Sequence, residues 1–303
     1  MTGKPYLRQL YKIEQKYYPL ILRALKAYAN AYADDLQTNG QQATGAMQSQ
    51  LFNQALTPII LDLYQKTGLW GARLQNGELK EAVKNRQKAG GFGINESWIQ
   101  EVLNYLAKFA LQFIQNITET TKNDLLKVLE KGTEENLSLD EIIRNIRALG
   151  ILPVRARTIA RTEIVRAANV GHRIGARSFP YEVNKKWLSA TDHRTRHSHM
   201  LINKQVVDEE GLFKVAIYKG DKPTGSFDEM NAPGDPNASA ANSINCRCRV
   251  IYTPKEDANG QLIMRQASQA VVIPMRTQPR YTPAQIAAQL KANIVMGVDA
   301  PKQ

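Results

Sequence analysis

Apolar residues in the first half of the chain recur every three or four positions, the spacing of a helix with one buried face. Over residues 6–35 this face consists of Leu7, Leu10, Tyr11, Tyr18, Ile21, Leu25, Tyr28 and Tyr32. Pro19 should kink this helix rather than end it, because the pattern continues in phase beyond the proline. A second helix through Phe52 should be bent at Pro58 and should end at a break between Gly68 and Gly77.

The next segments also predict helices. After a flexible connection at Ala89–Gly93, Asn95 should cap a helix whose apolar face is Ile99, Val102, Leu103, Leu106, Ala110, Phe113 and Ile117. Ser138 and Glu141 have the spacing of a capping box, which starts a short helix that should close at Gly150.

A longer helix should run from about Val154 to Ser178 and end before Pro180. Its apolar stripe consists mostly of small residues, which allows close packing: Ala156, Ala160, Ile164, Ala167 and Ile174. A second stripe falls within about 40° on a different side of this helix at 100° per residue. It consists of Arg155, Arg166, Arg173 and Arg177.

From Asn184 onward the pattern changes to short β-prone runs separated by loops rich in Gly, Pro, Asn and Asp. These runs are 186–188, 206–207, 212–217 and 249–252. We predict an α+β fold whose small sheet packs on the arginine-bearing helix. The predicted divisions are a long-helix N-terminal docking region (1–152), a small α+β domain (153–257) and an extended C-terminal tail (258–303). A short helix should start at Thr282 within this tail.

The charge balance changes this picture by indicating a partner. The chain has 40 Lys and Arg against 28 Asp and Glu. Residues 155–196 alone hold ten cations and three acids. Non-specific duplex DNA is the predicted partner of the arginine stripe, and an ordinary solvated helix face is the alternative. The chain has no apolar run of ~18 residues and no leader-like start, so we expect no membrane contact and synthesis in a cytoplasm.

Chemically capable residues concentrate between Trp187 and Tyr252. This stretch holds His193, His197 and His199 and both cysteines, Cys246 and Cys248. Two thiolates and one or two imidazoles, from His199 and His197, are a plausible tetrahedral zinc site, with Asp192 or Asp235 as substitute ligands. The alternative is a pair of reduced, hydrogen-bonded thiols, since a disulfide between residues so close would be strained. A third hypothesis is that a cysteine and a histidine form a nucleophilic pair, but nothing in the sequence indicates an oxyanion hole.

Taken together, the motifs of this region resemble the head-morphogenesis proteins of tailed phages, the minor head protein family that includes the Mu F-like group. The matching residues are Asp192, Arg194, Thr195, Arg196, His199 and Leu201, the Pro233–Pro236 loop, Asn245–Cys248 and, upstream, Arg161 to Glu163. The family pattern has Asp-Gly after the leucine, where this chain has Ile202-Asn203. We expect an arginine–carboxylate network involving Arg161 and Glu163 to lock the sheet to the helix.

The resemblance implies a non-enzymatic minor head protein that acts in procapsid assembly. Its expected partners are the portal protein, other head proteins and packaged DNA, with no small-molecule substrate. Its expected location is the virion, inside the head or at the portal vertex. The rival hypothesis is a phage-borne nuclease or toxin-like effector, in which Asp192 and the three neighbouring histidines would be the general acid–base group.

Overall fold

The computed structural model describes residues 3–40, 46–84, 96–148 and 151–265, together with 282, 284–286 and 288. The fold is α+β, as predicted. In chain order the elements are α1 (Lys4–Asn39), α2 (Ala46–Val83), α3 (Glu96–Glu134), α4 (Leu139–Arg147), α5 (Ile151–Arg177), β1 (Val183–Leu188), α6 (His197–Leu201), β2 (Val206–Asp208), β3 (Phe213–Lys219), β4 (Lys222–Met230), α7 (Ala240–Ser243) and β5 (Arg249–Pro254). No helix in the described ranges is long and apolar enough to cross a membrane.

The chain forms two compact units that interleave in sequence. The first unit consists of Met1–Ile13, Leu63–Asn104 and Arg161–Tyr281. The second consists of Glu14–Asp62, Tyr105–Ala160 and Thr282–Gln303. Long helices therefore contribute residues to both units, and the predicted divisions at residues 152 and 257 stay a prediction.

The second unit is helical, and its core contains most of the predicted apolar residues that fall in it; Tyr11, predicted on the same face of α1, is 59% exposed in the first unit. Ile21, Leu25, Leu56, Ile60 and Ile114 are fully buried in the second unit. The Tyr28 and Phe52 rings stack with their centroids 4.7 Å apart. Pro19 lies inside α1, as predicted from the unbroken periodicity. The helix tolerates this proline because the apolar face on both sides of it is buried.

The capping box at the start of α4 is confirmed. The Ser138 N–H donates to Glu141 Oε2 at 2.8 Å, and the Glu141 N–H donates to Ser138 Oγ at 3.3 Å. The helix ends at Arg147. Its predicted end at Gly150, the Ala89–Gly93 connection and the Asn95 cap lie outside the described residues.

The predicted break between Gly68 and Gly77 is wrong, because α2 continues through it to Val83. In the first unit Gly71 of α2 and Gly171 of α5 allow the two helices to touch backbone to backbone. A Cβ added at Gly171 would lie 2.0 Å from the Gly68 carbonyl oxygen, and one at Gly71 would lie 2.4 Å from that of Ala168. Glycine is required here by close packing, and no turn is formed.

The sheet of the first unit has the order β2-β1-β5, with β1 antiparallel to both neighbours. A separate hairpin is formed by β3 and β4. The four predicted strand runs all lie in β1, β2, β3 and β5. Strand β4 was not predicted: it is exposed along most of its length and contains Pro223 and Gly225, so it lacks alternating apolar residues. Asn169 and His172 of α5 bond to β5, so the sheet packs on this helix as predicted.

Residues after β5 fold back onto the first unit. Isolated bridges join Tyr181 to Met264 and Glu256 to Leu262. Arg265 Nη1 lies 2.7 Å from Glu209 Oε2 in a nearly buried ion pair. The folded region therefore continues into residues 258–265, which the sequence assigned to the tail. Most of the helix predicted from Thr282 lies outside the described residues.

Candidate functional site

The upstream motif on α5 is joined directly to the loop that carries the cysteines. Asn245 has a left-handed backbone, with φ 58°, which asparagine adopts more readily than most residues. Its backbone N–H donates to Thr162 Oγ1 at 2.9 Å. Arg161 Nη1 donates to Asn245 Oδ1 at 2.8 Å. The Arg161–Thr162 pair therefore fixes the turn that leads into Cys246.

A buried ion pair lies one turn further along α5. Glu163 accepts from Arg166 Nη1 at 2.9 Å at both carboxylate oxygens, and from the Tyr64 hydroxyl at 2.7 Å. Arg166 Nε also donates to the Gly234 carbonyl at 2.8 Å. A network is thus present around Glu163, with Arg166 as a charged partner, while Arg161 donates to Asn245. Arg166 is one of the four arginines of the stripe that is predicted to bind DNA.

Asn169 is the residue of this site that sequence reasoning missed. Its Oδ1 accepts from the Val250 N–H at 2.8 Å, and its Nδ2 donates to the carbonyl oxygens of Pro233 at 3.1 Å and Cys248 at 3.4 Å. A single buried amide therefore binds the Pro-Gly-Asp-Pro loop and strand β5 together. The only sequence indication was an asparagine placed between apolar positions of the helix.

The Asp192 segment is fixed to the same cysteine loop by ion pairing. Arg247 holds the Asp192 carboxylate through both terminal nitrogens, with Nη2 2.6 Å from Oδ1. This hydrogen-bonded pairing lowers the pKa of Asp192 below its ordinary value. Arg196 donates to the Ile244 carbonyl at 2.5 Å. Arg194 is exposed, and its backbone N–H donates to Asp192 Oδ1.

His199, Cys246 and Cys248 meet in the interior, each at most 2% exposed. His199 Nδ1 lies 3.6 Å from Cys246 Sγ and 3.4 Å from Cys248 Sγ. A hydrogen bond from the Cys246 thiol lowers the pKa of Cys248, and the same bond with burial raises the pKa of Cys246. One ring nitrogen of His199 therefore lies within 3.6 Å of both sulfurs.

The region that contains these contacts is similar to known proteins. The profile of the family described as "Phage Mu protein F like protein" matches residues 120–251, which include all of the motif residues above. Residues 120–251 are therefore similar to the Mu F-like family. The chain is also similar to the minor head protein GP7 of Bacillus phage SPP1, with 28% identity over 133 residues. That alignment covers 43% of this chain and 40% of the relative. No solved structure matches this chain at a significant level.

The Mu F-like region does not gather the remaining histidines into one site. His193 and His197 are exposed. His197 packs edge-on against Tyr218, with 5.4 Å between ring centroids, and lines an open pocket of 660 Å³. Among the described residues, the three that bring metal-ligating atoms within 4.8 Å of one another are His199, Cys246 and Cys248. Asp192 is held by Arg247 instead.

The four arginines predicted to bind DNA occupy different environments. Arg166 is 7% exposed and is held by Glu163 and Gly234. Arg173 and Arg177 are partly exposed and share Glu210, at 3.3 Å and 2.9 Å. In the second unit, Arg155 donates to a carbonyl oxygen of α3 at 3.2 Å. Arg166 is therefore too buried to contact a DNA phosphate. Arg173 and Arg177 would have to give up their ion pairs with Glu210 to bind one. DNA binding stays a prediction.

Proposed function

We propose that this protein is a minor head protein of a tailed phage that acts in procapsid assembly at the portal vertex. The observation that carries the proposal is the Mu F-like match, because it coincides with motif residues that contact one another between Arg161 and Cys248. The similar chain of phage SPP1 is itself named a minor head protein. Virion location and assembly in a host cytoplasm belong to the same proposal.

The contacts of the motif support a structural role. The carboxylate of Glu163 is occupied by Arg166 and Tyr64, and that of Asp192 by Arg247. General acid–base catalysis needs a group that reaches the reacting atom and exchanges protons with it. Carboxylates committed to arginine instead hold polypeptide segments together. We therefore assign the motif to folding of the Mu F-like region, with activity in binding and assembly.

The nuclease or effector alternative draws no support from the geometry. It requires Asp192 and His193, His197 and His199 to act on one substrate. His199 instead faces the two cysteines, while His193 and His197 are exposed. Its test is direct: nucleic acid degraded by the purified protein, with the activity lost in His199→Ala or His197→Ala, would replace the assembly role.

Co-expression with the portal and scaffold proteins of the same phage tests the assembly role. We expect the protein to co-purify with the portal and to be present at a defined low copy number in procapsids, measured by quantitative mass spectrometry. A chain that folds and is expressed, but is absent from both portal complexes and particles, would contradict the proposal. The other head proteins expressed without it provide the matched control for particle formation.

A further inference from the structure

We propose that His199, Cys246 and Cys248 form a structural zinc site within the Mu F-like region. The first support is distance. Zinc binds thiolate sulfur at about 2.3 Å and imidazole nitrogen at about 2.0–2.1 Å, so a tetrahedral site separates sulfur from nitrogen by roughly 3.5 Å. The two sulfurs lie 3.6 Å and 3.4 Å from the same nitrogen, His199 Nδ1. A single ring N–H has one hydrogen and would serve only one of these sulfurs well.

Hydrogen-bond donors lie close to both sulfurs. The Cys248 backbone N–H donates to Cys246 Sγ at 3.4 Å. The Ala190 backbone N–H bonds to Cys248, and the positive charge of Arg196 acts on Cys246. Both thiols are buried, where an uncompensated thiolate would be costly. A bound cation supplies the compensating charge.

The imidazole is also oriented as a ligand. His199 Nε2 is buried without a hydrogen-bond partner among the described residues. The ring meets Trp187 at 73°, with centroids 5.2 Å apart. With the proton on Nε2, beside the aromatic ring, the lone pair of Nδ1 points toward both sulfurs. That neutral tautomer is the one that binds zinc through Nδ1.

The donor set selects the metal and the role. Thiolate and imidazole ligands favour zinc over magnesium or calcium, which prefer oxygen. Asp235, named as a substitute ligand, accepts the backbone N–H groups of Asn231 and Asn237. Asp192 is held by Arg247. The three described residues would fill three positions of a tetrahedral site. The metal would then cross-link α6 to the start of β5, which are 47 or more residues apart in sequence.

Elemental analysis of the untagged, full-length protein tests the site. We expect about one equivalent of zinc per chain, because a structural site binds one ion. Cobalt exchanged into the same protein should give the intense visible bands of a tetrahedral thiolate complex. The exposed neighbour provides a matched control: His197→Ala should keep the metal, whereas His199→Ala and Cys246→Ser should lose it.

The wild-type measurement does not depend on whether a variant folds. Removal of zinc by a chelator should lower the temperature of unfolding, and added zinc should restore it. Wild-type protein that binds neither zinc nor cobalt when reduced would overturn the proposal, and the thiols would then be a hydrogen-bonded pair. Equal metal contents in His197→Ala and His199→Ala would also overturn it. Neither result bears on the assembly role.

Discussion

Arg166 donates a hydrogen bond from Nε to the carbonyl oxygen of Gly234 at 2.8 Å, across 68 residues of sequence. The same guanidinium binds Glu163, so one buried arginine joins α5 to the Pro-Gly-Asp-Pro loop. Gly234 approaches the helix so closely that a Cβ there would lie 3.3 Å from Arg166 Cα. Its φ of +81° is also unfavourable for a residue with a side chain.

Gly234→Ala should therefore destabilise the protein by about 2 kcal/mol, from backbone strain and crowding together. Gly220→Ala is the matched control. Gly220 also has a positive φ, +62°, but a Cβ there has nothing within 4 Å. We expect a cost of about 1 kcal/mol at Gly220. Urea unfolding followed by circular dichroism measures both, and equal costs would show that the approach to Arg166 has no effect.

Gly171→Ala should have a larger effect, because its Cβ would lie 2.0 Å from a backbone oxygen of α2. Separating the two helices in the first unit should cost about 3 kcal/mol. Gly77→Ala provides a control of opposite sign. Gly77 lies inside α2 with open space around its Cβ, so alanine should stabilise the helix by about 0.5–1 kcal/mol. Thermal denaturation of the two variants measures these changes in stability. A Gly171→Ala variant as stable as the wild-type protein would contradict the close contact between α2 and α5.

Asp192 should make stability depend on acidic pH. Pairing with Arg247 lowers its folded pKa below the unfolded value of about 3.9, so the folded state gains stability above that value. This stability is lost as the pH falls through the lower folded pKa. Asp192→Asn should therefore cost about 1 kcal/mol near neutral pH, and the difference from wild type should shrink below about pH 4.

Asp221 is exposed, so the variant Asp221→Asn is the control for that experiment. The unfolding midpoint of this variant should equal that of the wild-type protein at every pH. The unfolding midpoint in urea, taken at a series of pH values, is the measurement. A wild-type-to-Asp192→Asn difference that is constant with pH would show that the ion pair does not carry the effect.

DNA binding, if it uses the first unit, should compete with Glu210. Glu210→Gln should release Arg173 and Arg177 and raise affinity for a random-sequence duplex. Arg173→Gln with Arg177→Gln should weaken binding and reduce the salt slope by about 2, from the loss of two phosphate contacts. Fluorescence anisotropy across a salt series measures both. An unchanged slope would leave these arginines as ion-paired surface residues.

The sequence by itself determined the local elements of this protein. Helical periodicity located the long helices and carried α1 through Pro19, and Ser138 with Glu141 marked the start of α4. These features depend on residues a few positions apart, which the sequence lists side by side. The order of the motifs also indicated a resemblance to the Mu F-like family. The residue types indicated His199, Cys246 and Cys248 as candidate metal ligands.

Tertiary structure alone decided which partners meet. Glu163 had several arginines within reach by sequence, and burial selected Arg166. Asp192 paired with Arg247, 55 residues away, although Arg194 is next but one along the chain. The sequence predicts a helix break from Gly68, whereas in the structure Gly68 lies within α2 and its carbonyl oxygen lies against Gly171 of α5. Long-range choices of this kind depend on packing and desolvation between distant segments, which no local pattern of residues encodes.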